Sequence, residues 1–143
     1  MTRRRAFVVA FTVVITAVCV IANLGGAWYG DPANALQLSV TLLYILCWTA
    51  LCALPRSLNA KLALAVGALT LLSGAVCALY RLTEASIVAL PGFFLCSFTG
   101  IPFYGLRFFT NWTRLYEISA VVGALWCVLA GVRLNTQKRG GSD

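Results

Sequence analysis

Six cysteines and a thin scatter of charges carry most of the reactive chemistry in this 143-residue chain. The cysteines are Cys19, Cys47, Cys52, Cys77, Cys96 and Cys127. Such thiols can pair as disulfides or exchange electrons as dithiols. Their spacing argues against dithiol chemistry. No CxxC occurs, and Cys47 and Cys52 bracket the longer CWTALC, whereas a redox-active pair normally sits closer. Five of the six fall in the expected spans, where a thiol reads first as a small, polarizable packing group. Cys77 and Cys96 are the two that could meet near one membrane face, where an oxidising compartment would let them join.

Histidine is absent, so there is no imidazole to ligate haem or zinc or to act as a general base. The carboxylates are Asp31, Glu84, Glu117 and Asp143, far apart in sequence. A paired acid/base catalyst would have to draw on these four. The expectation is therefore a chain with no catalytic residue, no metal site and no cofactor.

The polar side chains that remain concentrate between residues 81 and 117. Arg81, Glu84, Arg107, Asn111, Arg114 and Glu117 lie there, among nine of the chain's 17 aromatic residues. This segment is the candidate binding surface, for a lipid, an apolar ligand or a partner protein. The plainer reading is an anchor, since aromatic rings favour the headgroup level of a bilayer. Within Pro102–Tyr116, Arg107, Asn111 and Arg114 recur at i, i+4, i+7, and Phe108, Trp112 and Leu115 form a second stripe. That period predicts an amphipathic helix lying on the membrane surface. Asn111-Trp112-Thr113 also matches an N-glycosylation acceptor, a short motif of low specificity.

A second pattern concerns packing. Ser119, Gly123, Cys127 and Gly131 follow strict i, i+4 spacing, and Thr70, Gly74 and Ala78 do the same further upstream. Small side chains on one stripe let two helix backbones approach closely. Such ladders serve packing within one unit or self-association.

These residues must be held by something, and composition says what. Hydrophobic residues make up 61% of the chain and charged residues 10%, with a mean hydropathy of +0.89. A soluble domain is typically ~45–50% apolar and ~25% charged. Soluble enzymes, disordered proteins and nucleic-acid-binding domains are excluded on this ground. The charges divide the chain into uncharged runs at Ala6–Ala27, Ala35–Leu54, Leu62–Tyr80, Ser86–Leu106 and Ile118–Val132. About 20 helical residues cross a bilayer core. The first three runs are long enough, and the last becomes so over Leu115–Leu134, with Glu117 and Arg133 at its ends.

The run Ser86–Leu106 is different, because it holds Pro91-Gly92, Gly100, Pro102 and Gly105. Proline removes a backbone donor and glycine weakens a helix. Two breaks close together predict two short pieces, Ser86–Ser97 and Pro102–Trp112.

The expected architecture is an all-α integral membrane protein of one domain, residues 1–143. It is a four-transmembrane-helix bundle with spans at 6–27, 35–54, 62–80 and 115–134. A re-entrant or interfacial helical hairpin at 86–112 separates the third and fourth spans, and a disordered tail covers 135–143. The first run exceeds a secretory core of ~7–15 apolar residues, which favours a retained span over a cleaved signal.

The net charge of +7 is a topology signal. Four spans place Arg3, Arg4, Arg5, Arg56, Lys61, Arg133, Lys138 and Arg139 on one side, eight of the 11 basic residues. The positive-inside rule then puts both termini in the cytoplasm, in a chain whose short loops suit a bacterial cytoplasmic membrane. The same charge favours anionic lipid headgroups. The expected partners are the lipid bilayer and another membrane protein or a second copy of the chain, with no nucleic acid.

On function the sequence supports a non-catalytic scaffold, assembly factor or accessory subunit, because no acid or base lies within a span and intramembrane charges usually mark functional pathways. A small oligomeric transporter or channel is the second expectation, and a membrane thiol-redox protein using Cys77 and Cys96 the third.

Overall fold

The computed structural model describes residues 3–53, 57–83 and 100–139. Four long α-helices carry the chain: α1 Arg3–Tyr29, α2 Ala35–Ala53, α3 Ser57–Thr83 and α4 Trp112–Arg139. A 3-10 helix, Ile101–Phe108, precedes α4, and the described residues contain no strand. Each long helix is long and apolar enough to cross a membrane, over Ala6–Tyr29, Ala35–Cys52, Ala60–Cys77 and Arg114–Gln137. By length and composition the chain is an integral membrane protein.

Helix boundaries follow local chemistry. Residue 30 ends α1 as a glycine with φ +75°, and its N–H donates to the Gly26 carbonyl at 2.9 Å. This is a left-handed C-terminal cap, which glycine adopts without steric penalty. Asp31-Pro32 follows, and proline cannot continue the helix. At the start of α2, the Asn34 side chain accepts from the Gln37 N–H and the Gln37 side chain accepts from the Asn34 N–H, both at 2.9 Å. That reciprocal pair is a capping box. The Gln37 amide also donates to the Ala22 carbonyl of α1 at 3.1 Å, so the cap fastens the two helices together.

The helices pack as two antiparallel pairs. In α1/α2, Trp48 donates to Thr16 at 3.1 Å and Asn23 to Thr41 at 3.0 Å. In α3/α4, backbone lies almost on backbone. A Cβ added at Gly123 would come within 2.5 Å of the Leu71 nitrogen, and one at Gly74 within 2.7 Å of the Ala120 Cβ. Helix α2 and the 3-10 helix bridge the pairs, since both touch α4 and α2 also touches α3. The lipid-facing surface carries large apolar side chains such as Phe7, Ile21, Leu46, Leu72 and Val121.

Three sequence expectations need correction. Pro102–Tyr116 is not one amphipathic α-helix: it divides into the 3-10 helix, a turn at 109–110 and the start of α4. The 3-10 helix does not lie on a surface either, because Pro102, Phe103, Tyr104 and Gly105 are buried. Its three residues per turn give a different face from the one an α-helical period selects. Finally, α4 begins at Trp112 and runs to Arg139, so helix occupies much of the stretch expected to be a disordered tail. The first arm of the expected hairpin, Ser86–Ser97, lies outside the described residues.

Candidate functional site

The site is built where the 3-10 helix enters between α1, α2 and α4. Gly100 and Pro102 interrupt the apolar run, and Pro102 occupies the first turn of the 3-10 helix, where its missing N–H is harmless. Gly105 then lets the segment lie directly on α2. A Cβ at that position would overlap the Gln37 carbonyl oxygen and the Thr41 hydroxyl. Opposite it, a Cβ at Gly26 would come within 2.6 Å of the Tyr104 ring.

Three neutral polar side chains converge on one backbone oxygen there. The Thr41 hydroxyl donates to the Pro102 carbonyl at 2.9 Å, the Cys19 thiol at 3.2 Å and the Asn23 amide at 3.5 Å. Asn23 also donates to Thr41 Oγ1 at 3.0 Å and to Cys19 Sγ at 3.4 Å. Asn23, Thr41 and Cys19 are all fully buried. The Asn23 Oδ1 atom has no hydrogen-bond partner, a condition that costs about 1–3 kcal/mol for a buried acceptor. In hydrocarbon a carbonyl outside regular helix needs such donors, because no water replaces them. The arrangement holds an oxygen acceptor. It contains no group that transfers protons readily at neutral pH.

Below the carbonyl, rings fill the interior. Tyr44, Trp48, Phe103 and Trp126 lie with centroids 5.8–6.5 Å apart, mostly edge to face or tilted. These separations are those at which aromatic quadrupoles attract. The indole N–H groups are satisfied by Thr16, at 3.1 Å from Trp48, and Thr49, at 3.0 Å from Trp126.

Above the carbonyl, Arg107 closes the site. Its Nη1 donates to the Gly30 and Asp31 carbonyl oxygens at 2.5 and 2.7 Å and to the Tyr104 hydroxyl at 2.8 Å. Tyr104 in turn donates to the Asp31 carbonyl, and the guanidinium lies 5.6 Å from the Tyr104 ring centroid. The 3-10 helix is thereby latched to the α1–α2 turn by charge-assisted hydrogen bonds.

The six candidate surface residues do not form one cluster among the described residues. Arg107 is half-buried and engaged as above, while Asn111, Arg114 and Glu117 are exposed. Arg81 lies in the last turn of α3, and Glu84 lies outside the described residues. Of the small-residue ladder, Gly123 meets α3 directly, Ser119 is buried, and the Cys127 thiol lies 3.9 Å from the Leu64 carbonyl. Gly131 has nothing within 4 Å of an added Cβ. Among the described residues no group of three metal-ligating side chains converges.

Cys19, Cys47, Cys52 and Cys127 are free thiols, and Cys77 is disulfide-bonded. The reading of the cysteines as packing groups is corrected for Cys77. Cys96 lies outside the described residues. Sequence reasoning missed Asn23, Gln37 and Thr41, because charges were used to mark the runs and these residues carry none. An asparagine and a glutamine inside otherwise apolar stretches were the available signal, since polar residues in membrane helices tend to hydrogen-bond across helices. The chain matches no family model, no curated protein and no solved structure.

Proposed function

We propose that the chain is a non-catalytic accessory subunit or assembly factor, a four-helix membrane bundle in which the 3-10 segment re-enters from the non-cytoplasmic face. The observation carrying this reading is the filled interior. Tyr44, Trp48, Phe103 and Trp126 occupy the centre in mutual contact, and the buried polar groups around them are directed at the chain's own Pro102 carbonyl. A monomeric transport path would need charged or hydrated groups along the interior. The surface left for function is the apolar exterior, which fits association with another membrane protein.

Two observations support termini on the cytoplasmic side. A chain that crosses four times puts eight of its 11 basic residues on the side of its termini, the side that the positive-inside rule makes cytoplasmic. The disulfide at Cys77, near the far end of α3, fits an oxidising compartment there.

The test is purification in mild detergent at native expression level, combined with flux measurements on the chain alone in liposomes. Stoichiometric recovery of a second membrane protein and no flux are expected. Ion or solute flux that disappears in Arg107→Ala would overturn the reading in favour of a channel. The same disulfide favours a second reading, a thiol-redox protein. A Cys77→Ser strain whose membrane proteins keep their normal thiol state removes that reading.

A further inference from the structure

The opposite end of the α1/α2 pair holds a groove that the proposed function does not use. It measures about 290 Å³ and is lined by Phe7, Val8, Phe11 and Thr12 of α1 and by Leu46, Cys47 and Ala50 of α2. Phe7 and Phe11 stack at 5.8 Å and 15° to form one wall. Both are exposed, as are Leu46 and Ala50 on the facing helix. The one hydroxyl in the lining, on buried Thr12, donates to the Val8 carbonyl at 2.8 Å, which leaves the Cys47 thiol, a weak donor, as the other polar group of the floor. Ala50 has the smallest side chain in the lining.

Charge sets the occupant. Arg3, Arg4 and Arg5 open α1, and helical periodicity places Arg3 at the head of the row Arg3, Phe7, Phe11 and Arg4 at the head of the row Arg4, Val8, Thr12. Three arginines therefore open the helix whose next two turns line the channel. Neither α1 nor α2 contains an Asp or Glu, so a counter-ion must come from outside this helix pair. A molecule with an anionic head and an apolar chain satisfies both halves, and basic residues beside a membrane helix attract anionic headgroups.

We propose that this groove binds one anionic phospholipid, with an acyl chain against Phe7, Phe11 and Ala50 and its phosphate at the Arg3–Arg5 run. The site does not depend on which way the chain crosses the membrane, because groove and arginines share one end of α1. Nor does it depend on the accessory role proposed above.

The test is native mass spectrometry of the full chain released from nanodiscs of equal parts phosphatidylglycerol and phosphatidylcholine. One phosphatidylglycerol per chain is expected, retained about tenfold over phosphatidylcholine, which corresponds to ~1.4 kcal/mol. Ala50→Leu fills the groove from its lipid-facing side and should reduce the retained lipid about tenfold. Arg4→Gln should lower the headgroup preference while leaving some chain binding. Val128→Leu, at an exposed site on α4, serves as the control and should change nothing. Thermal melting in phosphatidylcholine alone establishes that each variant is folded. Equal retention of the two lipids by the unaltered chain, or undiminished retention by a folded Ala50→Leu chain, overturns the proposal.

Discussion

The α3/α4 pair and the α1/α2 pair solve one problem in opposite ways. Lipid tails are as apolar as leucine, so hydrophobicity does not drive helices together inside a bilayer. Helices α3 and α4 rely on the absence of side chains. Gly67, Gly74 and Gly123 bring the backbones so near that added Cβ atoms would stand 2.5–3.0 Å from their neighbours. Dispersion across a long, close seam then holds the pair. Helices α1 and α2 instead carry asparagine, threonine and cysteine facing inward, which grip a third element, and a glutamine that ties α2 to α1. One seam is made by shape and the other by polar complementarity to a short non-α segment.

Substitutions can set the two modes against each other. The largest effect is expected at the point where both demands coincide, close approach and polar docking. Gly105→Ala forces a methyl into the Gln37 carbonyl, a backbone atom that cannot swing aside. Loss of about 3 kcal/mol or more is expected from such overpacking, read as a lowered melting temperature in detergent and as new protease cleavage in the 3-10 segment.

Gly123→Ala should follow, at about 2–3 kcal/mol, because its Cβ would lie 2.5 Å from the Leu71 nitrogen. Gly131→Ala has open space and is expected to stay within ±0.5 kcal/mol, as surface substitutions do. Equal losses at the two positions would show that the ladder does not act through α3.

Thr41→Val keeps the shape and removes the hydroxyl between Asn23 and Pro102. About 1–2 kcal/mol should be lost, since two groups lose partners. A fall well below 1 kcal/mol, measured by chemical unfolding in micelles, would mean that shape alone seats the 3-10 helix.

Trp126→Phe is expected to cost less than Thr41→Val. It retains an aromatic ring in the cluster but loses the bond to Thr49, and interhelical hydrogen bonds in membranes average ~0.6 kcal/mol. A much larger loss would report the cavity that the smaller ring leaves at this fully buried site, and so assign the centre to ring packing over hydrogen bonding.

The contrast also explains what could be read from the chain beforehand. The long helices were legible because Arg3–Arg5, Arg56, Lys61 and Arg133 punctuate uncharged runs, and a membrane permits few alternatives to helix. The glycine ladder was legible because i, i+4 spacing survives folding unchanged. The 3-10 segment was half legible. Gly100, Pro102 and Gly105 announce a break in the α-helix, but the period that linked Arg107, Asn111 and Arg114 belongs to a helix that the turn at 109–110 interrupts. The donor cluster was the least visible part. Asn23 and Thr41 stand 18 residues apart, and the carbonyl they serve lies 79 and 61 residues downstream. Nothing local marks such a convergence.

That sequence separation has a bearing on biogenesis. Helix α1 packs on α2 and on the 3-10 helix, and the latter is made only after three helices have left the ribosome. Until residues 102–107 emerge, the amide of Asn23 and the hydroxyl of Thr41 have each other but lack their final acceptor. The nascent α1/α2 hairpin is thus an unfinished product until the 3-10 helix has been made.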